Sequence, residues 1–328
     1  MSTLDKLRGM LVGLAIGDAL GAPVEFMPRG TFPPVAGYRA GGPHNLEAGY
    51  WTDDTSMALC SGASLIQCNA HDPNDQMQRY QRWYRHGYMS STGRCFDIGN
   101  QTRRAIQRFE REGIDLNRAI HPDDIDSAGN GALMRLAPVA IKYHADVDKA
   151  IDAAADNAAL THSDPRCIDA NKAFTFLLIR ALNSTDKAQL LATEALSAYF
   201  SETLNTEVNS VIQGSYRQLS EPQVESTGYV VTSLEAALWA FYNASSFEEG
   251  AKLAVNLGDD ADTIGAIYGQ IAGAFWGYSA MPKAWITALH DAARIITVAD
   301  LLADGITDQH LETLIKHATI PRLTIDTL

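Results

Sequence analysis

Two runs of glycine with a four-residue spacing place the strongest constraint on how this sequence can fold. One run lies near the N-terminus and the other much later in the chain: Gly9, Gly13, Gly17 and Gly21, then Gly265, Gly269, Gly273 and Gly277. A four-residue step puts each run along nearly one helical face, where the missing side chains let another backbone approach closely. Each glycine costs about 1 kcal/mol of helix propensity relative to alanine. The sequence therefore predicts two central helices whose close packing offsets that cost.

Helical periodicity of apolar residues continues through most of the 328 residues. A first helix is predicted from Leu4 to near Pro23, and a second contains Met57–Ile66. Alternating strand patterns are nearly absent, and we interpret Tyr229–Val231 as a helix start. With no break in composition, the pattern predicts one compact all-α domain over residues 1–328, although the length also permits two helical domains. The other predicted helices are 75–86, 99–111, 131–143, 147–158, 166–182, 186–200, 230–243, 247–256, 262–276, 283–296 and 308–317.

Charge and cysteine content restrict the partners and the compartment. The formal charge of −13 disfavours binding to nucleic acid or to anionic membranes, which requires basic surfaces. The apolar stretch Met10–Leu20 contains Asp18 and precedes no cleavage signal, and no uninterrupted apolar run is long enough to cross a membrane. We expect a soluble, cytoplasmic monomer that neither binds nucleic acid nor inserts into membranes. Four widely separated cysteines are typical of reduced intracellular thiols: Cys60, Cys68, Cys95 and Cys167.

Two acidic motifs, Trp51–Thr55 and Asp259–Thr263, each stand directly before an apolar helix. Alone, each is typical of a helix start, with Thr52 as an N-cap and the acids near the positive end of the helix dipole. Together, the carboxylates would repel one another strongly unless cations lay between them. Oxygen ligands favour Mg²⁺, Mn²⁺ or Ca²⁺ over zinc, so the sharper hypothesis is a two-metal site. Its candidate ligands are Thr52, Asp53, Asp54, Asp260, Asp262 and Thr263.

Four other features are ambiguous when each is taken alone. The glycines around Asn130 in Ser127–Arg135 suit either a phosphate cradle before a helix or a plain Asn-Gly turn. Glu25 follows the first helix, where a solvated glutamate is common. Asp97 precedes another helix and could be only its cap. His162 lies at a junction between two helices.

In combination, these segments resemble the ADP-ribosylglycohydrolase family, most closely the bacterial branch that contains the dinitrogenase reductase-activating glycohydrolase. The similarity keeps the family's order from about residue 4 to residue 280, and residues after about 285 match weakly. One departure is Asp259, which stands where the family often has glycine. The matching segments are Gly13–Ala22, Val24–Met27, Thr52–Thr55, Asp97–Asn100, Ala128–Arg135, Thr161–His162 and Asp260–Gly265.

The resemblance implies an all-α fold with two Mg²⁺ ions, or Mn²⁺, in a cleft that binds ADP-ribose. The six candidate ligands given above match the family's metal ligands. Glu25 matches an acidic residue beside the metals at the scissile bond, and Asp97 matches an aspartate that handles the ADP-ribosylated arginine. The remaining matches are the diphosphate loop Gly129, Asn130 and Gly131, the nucleotide-lining His162 and Tyr229, and Gly99 and Asn100 beside the distal ribose.

The expected function is hydrolysis of ADP-ribosyl-arginine on a modified protein, which releases free ADP-ribose by metal-assisted cleavage of the N-glycosidic bond. Glu25 and Asp97 are the expected catalytic residues. Within the family, serine-linked ADP-ribose and O-acetyl-ADP-ribose are alternative substrates. Outside it, the same carboxylates would suit a two-metal phosphoesterase, and the cleft alone would suit a non-catalytic ADP-ribose-binding module.

Overall fold

The computed structural model describes residues 1–114, 127–200 and 204–304. Within these ranges the regular elements are helices, joined by turns and two isolated backbone bridges, which confirms the predicted all-α class. The α-helices are α1 (Thr3–Gly21), α2 (Asp53–Cys68), α3 (Pro73–His86), α4 (Asn100–Glu112), α5 (Ala137–Lys142), α6 (Val147–Ala159), α7 (Pro165–Asn183), α8 (Lys187–Leu190), α9 (Thr193–Phe200), α10 (Thr206–Ile212), α11 (Val230–Asn243), α12 (Phe247–Val255), α13 (Ala261–Trp276), α14 (Lys283–Ala288) and α15 (Ala292–Asp304).

The two glycine-bearing helices, α1 and α13, pack antiparallel against each other at the centre of the molecule. A Cβ atom added at Gly17 would lie 1.9 Å from the carbonyl oxygen of Gly265, and one added at Gly269 would lie 1.9 Å from that of Gly13. These distances leave no room for a side chain, so the two backbones touch directly. The prediction that both helices are central is therefore confirmed.

This pairing positions the ends of both helices. The C-terminal end of α1 meets the N-terminal end of α13, because a Cβ at Gly21 would lie 2.4 Å from Ala261 and from Asp262. The segment Thr3–Val24 is long and apolar enough to span a membrane by length and composition, which the sequence did not lead us to expect. However, 94% of its most apolar window is buried inside the protein, so its apolarity belongs to the core.

One predicted helix is much shorter than the sequence suggested. The region 131–143 was predicted to be helical throughout, but residues 131–135 form turns and α5 begins only at Ala137. The carbonyl of Asn130 accepts hydrogen bonds from the amides of both Leu133 and Met134. The Arg135 side chain donates a hydrogen bond to the carbonyl of Gly131. These contacts replace the regular helical ladder in this segment.

Other boundaries also differ. The predicted helix 283–296 is divided into α14 and α15, because the His290 amide donates to the carbonyl of Gly49 and Asp291 adopts a left-handed φ of 49°. The predicted helix 186–200 is divided into α8 and α9, and α10 was not predicted. Tyr229 is the N-cap of α11, as expected. The predicted helix 308–317 lies outside the described residues.

Candidate active site

An open cleft of about 1150 Å³ lies where the first turns of α2, α4 and α13 meet the segment that follows α1. Thr52 and Asp54 are fully buried behind its wall, where the Thr52 hydroxyl lies 3.0 Å from Asp54 and 3.3 Å from the cleft-lining Asp262. Most of the residues selected from the sequence line the cleft: Glu25, Asp53, Asp97, Gly99, Asn100, Gly129, Asn130, Gly131, His162, Asp260, Asp262 and Thr263.

Asp18 caps the start of α2, a role that the sequence had suggested for Thr52. The Thr52 side chain makes no cap hydrogen bond. Instead, the fully buried Asp18 accepts from the amides of Thr52 and Thr55 at 2.9 and 3.0 Å, and from their hydroxyls at 3.0 and 2.6 Å. A carboxylate from α1 thus satisfies the free amides at the N-terminus of α2 and fixes the second helix start against the first glycine helix.

A buried carboxylate cluster forms at the cleft wall, where Asp262 lines the cleft and Asp18 and Asp54 lie behind it. Asp18, Asp54 and Asp262 each place one oxygen within 4.8 Å of the others. The Thr52 hydroxyl lies between them but carries only one hydrogen, so it cannot donate to all three. Among the residues that the structure describes, one oxygen of Asp54 and one of Asp262 are buried without any hydrogen-bond partner.

The electrostatics of this cluster favour a bound cation. Burial raises the pKa of Asp18 to about 6 and raises the pKa values of Asp54 and Asp262 well above their usual range, with neighbouring carboxylates adding to the latter two shifts. Burial likewise raises the pKa of Asp53, which faces the cleft. Unpartnered buried oxygens and oxygen-only donors fit a hard divalent cation. The predicted meeting of the two acidic helix starts is observed.

A second polar cluster lies at the cleft, and it contains a residue that sequence analysis missed. His44 Nε2 lies 2.9 Å from a carboxylate oxygen of Glu25 and 3.1 Å from one of Asp97. Hydrogen bonds to Asp97 and Glu25 raise the pKa of His44 to about 10, while burial raises the pKa of Glu25 to about 8. His44 comes from the long loop before α2, where nothing in the local sequence distinguishes it. The Asp97 side chain thus contacts His44 and is not the cap of α4, whose N-cap is Gly99.

Backbone hydrogen bonds connect Phe26 and Asp259 at the rim of the cleft. The Phe26 amide donates to the carbonyl of Asp259 at 2.7 Å, and the Asp259 amide donates to the carbonyl of Met27 at 2.8 Å. Asp259 has a φ of 51°, a conformation that favours glycine but that aspartate tolerates. Its side chain is exposed on the rim and does not enter the buried cluster.

The glycine-flanked loop at Asn130 is tied to both the acidic site and α11. The Asn130 side-chain amide donates to Ser233 at 2.8 Å and to Asp260 at 2.6 Å, while its backbone amide donates to the carbonyl of Gly228. Among the described residues, the amides of Gly129 and Gly131 have no backbone or side-chain acceptor. Two unpartnered N–H groups in a half-buried loop held this firmly suit an anion.

Space beside this loop is limited by His162. A Cβ at Gly131 would lie 2.8 Å from His162 Cε1, and one at Gly129 would lie 3.3 Å from His162 Nε2. Burial and the charge of Arg135 lower the pKa of His162 well below its usual value, so the ring is neutral. A side chain at Gly131 would thus force the imidazole or the loop to move, and one at Gly129 would fit only tightly.

The side chain of Tyr229, which was expected to line the nucleotide, lies outside the cleft. Its backbone pairs with Gly129, but its phenol donates to Glu207 at 2.6 Å and lies under the Arg166 guanidinium, so its side chain is not part of the cleft lining. Conversely, Gln101 lines the cleft and is only 7% exposed, and neither of its side-chain polar atoms has a partner within residues 1–114, 127–200 and 204–304. Its position directly after Asn100 was the only sequence signal available.

Comparison with known proteins supports the family resemblance seen in the sequence. The family model described as ADP-ribosylglycohydrolase matches residues 1–312. ADP-ribosylarginine hydrolase Tri1 of Pseudomonas putida (strain GB-1) is 40% identical over 301 residues, covering 92% of this chain and 78% of the relative. Tri1 of Serratia proteamaculans (strain 568) is 38% identical over 300 residues, covering 92% and 79%.

A more distant relative and a solved structure point to the same family. ADP-ribosyl-[dinitrogen reductase] glycohydrolase of Rhodospirillum rubrum is 31% identical over 296 residues, covering 88% of this chain and 91% of the relative. A solved structure titled ADP-ribosylglycohydrolase-related protein complex superposes with a TM-score of 0.78 at 42% identity, covering 92% of this chain and 98% of that one. With this match along nearly its whole length, the chain belongs to the ADP-ribosylglycohydrolase family.

Proposed function

We propose that this ADP-ribosyl hydrolase cleaves the N-glycosidic bond between ADP-ribose and a protein arginine. The observation that carries the proposal is the pair Glu25 and Asp97, whose carboxylates converge on one planar nitrogen donor, His44 Nε2, at 2.9 and 3.1 Å. Two convergent carboxylates complement a guanidinium, which is planar, cationic and rich in N–H donors. A serine leaving group would offer no such charge. The curated relatives named ADP-ribosylarginine hydrolase support the same choice.

In this mechanism, Asp97 pairs with the guanidinium and Glu25 handles protons at the scissile bond. The bond between the anomeric carbon and the guanidine nitrogen breaks, and its electron pair stays on nitrogen. Water attacks the anomeric carbon, and the proton that this water loses passes through Glu25 to the departing nitrogen, so that arginine leaves as a guanidinium. Because burial raises the pKa of Glu25 to about 8, this carboxyl can hold or release a proton near neutral pH. His44 neutralises part of the negative charge and holds the two carboxylates in place.

The acidic helix starts would hold two Mg²⁺ ions, or Mn²⁺. The buried, unpartnered oxygens of Asp54 and Asp262 are the strongest structural support for this assignment. When bound, such ions orient hydroxyl groups of a substrate and increase the acidity of bound water. The full proposed ligand set is Thr52, Asp53, Asp54, Asp260, Asp262 and Thr263.

The remaining substrate contacts follow from the walls of the cleft. Gly129, Asn130 and Gly131 would bind the diphosphate through backbone amides, and His162 packs behind them. Gly99 and Asn100, at the exposed start of α4, would lie beside the distal ribose. We propose that the Tyr229 phenol leaves Glu207 and contacts the nucleotide when the substrate binds.

We further propose that the chain acts as one domain over residues 1–328 and as a cytoplasmic monomer, without a nucleic-acid partner or membrane insertion. The free thiols Cys60, Cys68, Cys95 and Cys167 suit a reducing compartment. The net charge of −13 disfavours anionic partners other than a ligand held in a specific site. A modified protein is the substrate, and free ADP-ribose is a product.

Incubation with matched arginine-linked, serine-linked and O-acetyl ADP-ribose, with Mg²⁺ or with chelator, tests the proposal. We expect rapid release of free ADP-ribose from the arginine conjugate with Mg²⁺ only. Faster turnover of the serine conjugate would contradict the assigned linkage. Release of AMP or phosphate would instead indicate a phosphoesterase.

A further inference from the structure

Arg135 is a fully buried cation without an anionic partner among the described residues. Its guanidinium donates to the carbonyl of Gly131 at 2.6 Å, to the carbonyl of Asn157 at 3.2 Å and to the Thr161 hydroxyl at 2.7 Å, and it lies 5.0 Å from the centre of the Tyr80 ring. All these acceptors are neutral. Burying a charge in this way is costly unless something nearby compensates for it.

The contacts of Arg135 continue to the imidazole of His162. The Thr161 hydroxyl accepts from Arg135 and lies 2.7 Å from His162 Nδ1. Thr161 is only 1% exposed, and its single hydroxyl hydrogen has no other acceptor among the described residues. If Nδ1 carried a proton, Nδ1 would donate to the hydroxyl oxygen, and the hydroxyl hydrogen of Thr161 would be buried without a partner among the described residues, which is costly. The hydroxyl therefore donates to Nδ1, and the neutral ring carries its proton on Nε2.

The protonated Nε2 faces the loop formed by Gly129–Gly131. A Cβ built at Gly131 would lie 3.0 Å from Nε2, and His162 lines the cleft. The same guanidinium holds the carbonyl of Gly131, so Arg135 fixes both the loop and the ring. One buried cation thus holds both the loop, through the carbonyl of Gly131, and the neighbouring imidazole, through the Thr161 hydroxyl.

We propose that Arg135 and Thr161 are positioning residues that lock His162 in the Nε2–H tautomer, so that the ring donates a hydrogen bond to the diphosphate of ADP-ribose. The bound anion also compensates the buried charge of Arg135. This inference rests on the proposed function for the identity of the ligand, whereas the tautomer itself does not depend on it.

Thr161→Val tests the relay, because it keeps the shape of the side chain but removes the hydroxyl, and Thr161→Ser is the matched control that retains it. The loss of a hydrogen bond to a charged group costs about 1.5–3 kcal/mol, so we expect the Kd for ADP-ribose to rise about tenfold to a hundredfold in Thr161→Val. The Kd of Thr161→Ser should stay near the parent value. The substrate KM should rise in Thr161→Val while kcat changes little, and calorimetry with ADP-ribose measures the affinity.

Nitrogen-15 NMR of the histidine rings gives a readout that a merely structural role would not move. The His162 signals are assigned by their loss in His162→Gln. We expect the Nε2–H tautomer in the parent and in Thr161→Ser, and a mixture of tautomers in Thr161→Val. The Nδ1–H tautomer in the parent, or equal ADP-ribose affinity in the two Thr161 variants, would overturn the inference. The NMR measurement needs no turnover, so its outcome is independent of the arginine assignment.

Discussion

Two regions beside the cleft hold buried groups of opposite charge. We call them the acidic end, which contains Asp54 and Asp262, and the basic end, which contains Arg135 and the loop Gly129–Gly131. At the acidic end, Asp54 and Asp262 bury carboxylate oxygens that have no hydrogen-bond partner in the described part of the chain. At the other end, Arg135 buries a guanidinium that contacts only neutral acceptors among the described residues. Each end is unfavourable alone and becomes favourable with a ligand of the opposite sign. The two regions thus differ in the ligand that each one favours: a metal cation at the acidic end, and the diphosphate of the proposed substrate at the basic end.

Asp262→Ala should have the largest effect on activity, because it removes a ligand from the acidic end. We expect turnover of the arginine conjugate to be abolished. The melting temperature in chelator should be unchanged or higher, since the remaining carboxylates repel one another less. Asp53→Ala should behave in the same way.

The matched control for these variants is Asp152→Ala, which removes an exposed acid on α6. It should leave both turnover and melting temperature near the parent values. Full turnover by Asp262→Ala in chelator would show that the acidic end does not work through a cation.

Asp97→Asn should have the next largest effect, because it keeps the shape of the side chain but removes the charge that pairs with the guanidinium. Losing one charge-assisted hydrogen bond costs about 1.5–3 kcal/mol, so kcat/KM should fall about tenfold to a hundredfold. The Kd for ADP-ribose, which lacks the guanidinium, should change little. Both are measured together with the melting temperature. Normal turnover with a lowered melting temperature would leave Asp97 with a structural role only.

Gly131→Val tests the basic end of the cleft. Its Cβ would lie 2.8 Å from His162 Cε1, so the loop or the ring must move, and we expect ADP-ribose affinity to fall about tenfold. Gly37→Val is the control, because its Cβ would meet only Trp285 Nε1 at an ordinary 3.5 Å. Equal affinities in the two folded variants would argue against a diphosphate at this loop.

The pH dependence of stability tests the acidic end without a substitution, and it has the least direct bearing on activity. Burial raises the pKa of Asp18 to about 6 and that of Glu25 to about 8, so the folded protein binds more protons than the unfolded chain above pH 4. The metal-free protein should therefore lose stability as the pH rises from about 4 to 8, and Mg²⁺ should reduce that loss. Melting temperatures measured across this range, with and without chelator, check the sign. A rise in stability with pH in chelator would contradict it.

The sequence predicted the parts of the site that are carried by helix starts. The two glycine runs indicated central helices, and the acidic motifs indicated two helix ends rich in carboxylates. His44 could not be found in this way, because it reaches the cleft from a long loop whose path depends on tertiary contacts. The Asp18 cap of α2 was missed for a related reason, since a cap supplied from another helix leaves no local signal. For Tyr229 the sequence correctly predicted a helix start, but it could not show that the side chain contacts Glu207 and lies outside the cleft.

A crystal structure with Mn²⁺ and ADP-ribose tests the opposite charges of the two ends most directly, because the anomalous signal of manganese locates the cation independently. We predict manganese bound to Asp54 and Asp262, with the diphosphate on the amides of Gly129 and Gly131 and on His162 Nε2. Manganese elsewhere, or a diphosphate seated away from this loop, would contradict the assignment of the cation and the anion to these two ends.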